Sequence, residues 1–125
     1  MKLHSEQFKG LNAIVAYGAD YVQVNEARHT QSLVVLPLAL IAPWGAARAS
    51  DLTDIHFAVL ANADIEIVLL GTGAKQQFIH PRITRALLDK RIGIEMMDTQ
   101  AACRTYNILL GEGRNVAAAL ILETA

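Results

Sequence analysis

The clearest hydrophobic pattern in the chain is Ile65-Glu66-Ile67-Val68-Leu69-Leu70, which stops at Gly71-Thr72-Gly73. A short, β-rich apolar run bounded by glycines reads as a strand buried on both faces. The glycines allow a sharp turn and a close backbone approach at its end. Pro81 then stands at the favoured first position of a helix, with Ile83, Ala86 and Leu87 inward and Arg82, Arg85 and Asp89 outward. Lys90 and Arg91 suit the negative end of that helix, and Gly93 its stop. Residues 94–97 form the next short strand. Asp98 and Thr99 both offer caps for a helix to about Leu110, whose inner stripe is Ala102, Cys103, Tyr106, Leu109 and Leu110. The continuous apolar run 116–122 reads as another interior strand. The order βαβαβ predicts a parallel sheet with crossover helices.

The N-terminal half alternates instead. Ile14, Val15 and Tyr17 lead into Gly18-Ala19-Asp20, a short hairpin loop. Val22 and Val24 share one face of the following stretch, Asn25-Glu26 offers a second turn, and 32–36 reads as a more buried strand ended by Pro37. Residues 38–49 show no clean period. Residues 50–62 read as a helix capped by Ser50 or Thr53, with Leu52, Ile55 and Val59 on one face. The expectation is an α/β domain over residues 1–125, three layers deep, with a central mixed, largely parallel sheet and the N-terminal hairpin region packed against it.

Composition fits this picture. The 125 residues are 53% hydrophobic and 18% charged, which suits a packed core and not a disordered chain. The net charge of -1 gives no electrostatic reason for a nucleic acid or anionic membrane partner. One cysteine, Cys103, excludes an intrachain disulfide and suits a reducing compartment. The mixed, polar stretch 1–9 lacks the pattern of a signal or transit peptide. The longest apolar run, 33–44, is too short for a bilayer and is broken by Pro37 and Pro43. These features point to a soluble, cytoplasmic protein without direct membrane insertion.

Catalytic motifs do not assemble. Gly71-Thr72-Gly73 is followed by Gln76 where a dinucleotide motif needs its third glycine, and no Lys-Ser or Lys-Thr pair makes a P-loop. The four histidines are scattered, His56 has no second ligand one helical turn away, and no metal or cofactor is expected. Cys103 falls on the inner stripe of its helix, where a thiol is a small core residue and not a nucleophile. Trp44, in Pro43-Trp44-Gly45, reads as a core cap or as a partner-binding anchor.

Gly71-Thr72-Gly73, Asp98-Thr99 with Ala102, Arg104-Thr105-Tyr106-Asn107 and Gly113-Arg114 together resemble the small Mth-type domains of unknown function. Weaker agreement comes from Tyr17-Gly18 and Trp44. That family includes a mitochondrial assembly factor of NADH dehydrogenase (complex I) and an adipogenesis-associated Mth-domain protein. The resemblance covers essentially the whole chain and implies the three-layer fold. It also implies no established enzyme chemistry, and a role in binding another protein.

Two functions follow from these readings. The first is a non-catalytic interaction module assisting assembly of a protein complex, through a face that includes Trp44, Arg104, Asn107 and Arg114. The second is a pocket for a small molecule, an anion included, where Gly71, Thr72, Gly73, Asp98 and Thr99 meet at the ends of parallel strands. Arg114 would join that pocket only if the last strand were antiparallel.

Overall fold

The computed structural model describes residues 10–123, and the polar start 1–9 lies outside them. Strands β1 (Ile14–Tyr17), β2 (Val22–Val24) and β3 (Ala27–His29) form an antiparallel three-stranded sheet. Asn25, with φ 52, makes the tight turn between β2 and β3. The second sheet has five strands in the order β5-β4-β8-β6-β7. Here β4 is Leu33–Leu36, β5 Ala39–Ile41, β6 Ile67–Gly71, β7 Gly93–Met97 and β8 Val116–Leu120. β7, β6 and β8 run parallel, while β4 is antiparallel to both β8 and β5.

Both faces of this sheet are covered, which is why its central strands are apolar without alternation. On one face Val34, Val68, Leu70, Ala117 and Ala119 pack under Phe57 and Leu60 of α1 (Asp54–Ala61), Leu87 of α2 (Arg85–Asp89), and Trp44. On the other, Leu33, Val35, Leu69, Val116, Ala118 and Leu120 meet α3 (Thr99–Gly111) and the three-stranded sheet. The α3 stripe is as expected: Ala102, Cys103, Tyr106 and Leu110 are buried and Leu109 is half-buried. Helix α3 also clamps the small sheet. Asn107 Nδ2 donates to Ile14 O at 2.6 Å, its Oδ1 accepts from Ile14 N–H at 3.0 Å, and Tyr106 OH donates to Asn12 O at 2.6 Å.

Several elements differ from the sequence reading. Helix α1 starts only after Thr53, and its buried residues are Phe57 and Leu60; Ile55 and Val59 are 72% and 51% exposed. The apolar positions at Ile55 and Val59 mimic an inner stripe, but Phe57 and Leu60, three residues apart on the opposite side, take the core. Pro81 opens a run of turns, and the helix that follows is only five residues long. It ends at Arg91 (φ 59), where Ile92 N–H donates to Leu87 O and Arg91 N–H to Leu88 O. This is the ending usually made by glycine; Gly93, read as the stop, is the first residue of β7. The unpatterned stretch after Pro37 hides β5, a short strand whose exposed side chains leave no period.

Gly71 is the residue on which the packing of α3 turns. A Cβ there would lie 2.8 Å from the Thr99 Cα, a backbone atom that cannot swing away. Gly71→Ala should therefore push α3 off the sheet and cost about 2 kcal/mol, within the usual range for overpacking. Urea denaturation measures this, and an unchanged midpoint would show the contact to be relaxed.

Candidate functional site

The parallel strands β6, β7 and β8 end on the same side, so the segments after Gly71, Met97 and Leu120 converge where ligands of open α/β sheets bind. Gly18 and Ala19 of the β1–β2 loop join them. Between these segments lies an open depression of about 430 Å³, lined by Gly18, Ala19, Gly73, Ala74, Asp98, Thr99, Gln100, Ile121 and Glu123.

The side chains of Thr99, Asp98 and Glu123 each have a structural partner. Thr99 Oγ1 donates to Ile121 O at 2.7 Å and accepts from Gly73 N–H at 2.9 Å, while Thr99 N–H donates to Gly73 O at 2.8 Å. Gly73 has φ +105, a conformation costly for a residue with a Cβ. Asp98 Oδ1 accepts from Ala101 N–H at 2.9 Å and so caps α3, and Glu123 Oε1 accepts from Ala74 N–H at 3.1 Å. Thr72 is fully buried and does not line the depression. Its hydroxyl donates to Lys75 O at 2.8 Å and accepts from Gln77 N–H at 2.9 Å, and Gln77 Nε2 donates back to Thr72 O at 3.2 Å. The loop is thus wound around Thr72.

Of the five residues expected at this pocket, Gly73, Asp98 and Thr99 border it, while Gly71 and Thr72 lie beneath. The charges at the depression disfavour an anion. Asp98 occupies the positive end of α3, and Glu123 adds a second carboxylate across the depression. Glu123, Gln100 and the Gly18-Ala19 loop carry no local motif; only the parallel course of β8 brings Glu123 here. Among the described residues no three His, Cys, Asp or Glu side chains cluster as a metal site. Burial pushes the Cys103 thiol up to about 12, which keeps it protonated and inert.

The residues expected at a partner face are dispersed. Trp44 is 6% exposed, with Nε1–H donating to His56 O at 3.3 Å and its ring edge-on to Phe57. The ring is core, so it offers no exposed anchor. His56 accepts from Thr53 N–H through Nδ1 at 3.0 Å, so Nε2 carries the proton and faces Gly45 O at 3.4 Å. Asn107 is occupied with β1. Arg104 is exposed, its guanidinium 3.4 Å from Tyr17 OH. Because β8 is parallel, Arg114 lies at the far end of the sheet, paired with Glu66. The Arg114 hydrogen bond and the Asn115 N–H hold the Glu66 carboxyl below its usual range.

The cap assignment has a direct test. Asp98→Ala should destabilise the fold by about 1 kcal/mol, the usual cost of a lost N-cap. Chemical denaturation with no change would mean that Asp98 is not needed as a cap.

Comparison with known proteins agrees with this architecture. The profile of the family described as "Protein of unknown function (DUF498/DUF598)" matches residues 14–121. A mouse NADH dehydrogenase [ubiquinone] 1 alpha subcomplex assembly factor 3 is 38% identical over 90 residues, which is 70% of this chain and 48% of the mouse protein. The chain thus spans about half the length of that relative. A crystal structure from Bordetella parapertussis is 40% identical with a TM-score of 0.85, covering 92% of this chain and 98% of the other. A solution structure from Bordetella pertussis, described as a Mth938-like domain, is 36% identical with a TM-score of 0.81, covering 98% of this chain and 93% of the other. With its fold and residues 14–121, nearly all of the described chain, matched, the chain belongs to the DUF498/DUF598 family of Mth938-like domains.

Proposed function

We propose that this chain is a non-catalytic assembly factor that binds another protein while a larger, membrane-associated complex is built. The observation that carries the reading is its similarity to proteins named as complex I assembly factors. The geometry supports it. The strand-end loops, where a pocket would do chemistry, direct Thr72, Thr99, Asp98 and Glu123 at their own backbone. No helix among the described residues is long and apolar enough to cross a membrane, so contact with a membrane complex would run through its protein subunits. The cytoplasm is the proposed setting, in keeping with the single buried, reduced cysteine. A second reading, a small-molecule pocket, is favoured by the open depression at Gly73, and its two carboxylates would select a cation.

The test is affinity purification of the tagged chain from its own cells at native abundance, after mild cross-linking. Subunits of a membrane-bound respiratory complex should be enriched, and Glu123→Gln should retain them. Absence of any such subunit, together with a cationic metabolite retained in native mass spectrometry and lost in Glu123→Gln, would reverse the choice.

A further inference from the structure

Strand β7 is one of the two outer strands of the five-stranded sheet, the other being β5, and is bonded on one side only, to β6. The ladder fixes which of its backbone groups are free. Gly93 N–H donates to Glu66 O at 2.9 Å, and Met97 O accepts from Thr72 N–H at 2.9 Å. In this parallel register Gly93, Glu95 and Met97 direct their backbone at β6. Ile94 and Met96 therefore turn their N–H and C=O groups outward. Among the described residues no other element bonds to those four groups. Such an edge is a template for an added strand.

The side chains along the edge define what would fit. Glu95 is exposed and has no ion-pair partner among the described residues. Phe78 is 87% exposed and immediately precedes Ile79, whose N–H points at the Met96 sulfur at 3.3 Å. The edge therefore offers four backbone groups, one unpaired carboxylate and a nearby exposed ring.

We propose that β7 accepts an extended segment of a partner protein as an added antiparallel strand, with a Lys or Arg of that segment opposite Glu95. In this arrangement Ile94 and Met96 form the hydrogen-bonded pairs, and Glu95 the non-hydrogen-bonded pair between them, where opposed side chains come closest. Charge then selects the occupant. A second copy of this chain, added by two-fold symmetry in the register that uses all four groups, would set Glu95 against Glu95, and opposed like charges are destabilising. A heterologous strand with a cation there gains an ion pair, and apolar residues beside it can cover Phe78. This inference rests on the reading that the chain binds another protein, and adds the surface and the mode.

The probe is a displayed library of random linear peptides selected on the wild-type protein, then rebound to Ile94→Pro and Glu95→Lys. Proline at Ile94 removes an outward N–H without touching the β6 ladder, as edge strands permit. Enriched peptides should carry Lys or Arg between β-branched residues and should slow hydrogen exchange at the Ile94 and Met96 amides. They should bind both variants at least about tenfold more weakly, since backbone pairing and the charge pair are both removed. Should Ile94→Pro not fold, Glu95→Lys and the amide exchange decide. Three results would overturn the proposal: no enriched peptide, peptides that protect other amides, or concentration-dependent protection of Ile94 and Met96 in the protein alone. If subunits captured from cells bind Glu95→Lys undiminished, the edge is wrong and the assembly reading stands.

Discussion

The Thr99 hydroxyl is the joint on which the rest of the molecule depends. It donates to Ile121 O and accepts from Gly73 N–H, so one side chain ties the segments after β6 and β8 to the first turn of α3. The seat is possible only because Gly71 has no Cβ to meet the Thr99 backbone. Once α3 is seated, Asn107 fastens β1 and Tyr106 fastens Asn12 just ahead of it, and through β1 the whole three-stranded sheet is held. The layers are thus linked in series: parallel strands, helix, small sheet. A fault at the first link propagates to the others.

The loops at the strand ends are held by their own polar groups. Buried hydroxyls and amides need partners in a low-dielectric interior, and those at Thr72 and Thr99 find them in the loops themselves. Asp98 completes the pattern by answering a free amide at the start of α3. A surface with unmet backbone groups lies elsewhere, along the outer strand β7.

Much of the fold was legible where one physical signal dominated. The apolar runs at β6 and β8 are covered on both faces and the α3 stripe faces the core, so sequence and environment agree. Legibility failed where two apolar sets competed on one short helix, as with Ile55 and Val59 against Phe57 and Leu60. It failed again at β5, a short edge strand without period, and at α2, where a proline and a helical pattern yielded mostly turns. Three of the five candidate pocket residues border the depression, because the parallel order fixes which strand ends meet. Glu123 was invisible because its role depends on the direction of β8. Trp44 was ambiguous because an isolated aromatic between Pro and Gly carries no periodicity to show which way it faces.

The most direct measurement of the central claim is the stability of Thr99→Val. The change keeps the shape of the side chain and removes its hydroxyl, leaving Gly73 N–H and Ile121 O buried without their partner. Each orphaned group costs about 1–3 kcal/mol, so urea denaturation should show a loss of about 3 kcal/mol. Hydrogen exchange should rise across α3 and β1 together, with the wild-type level restored by Thr99→Ser. A Thr99→Val protein of undiminished stability, with exchange unchanged in β1, would contradict the account.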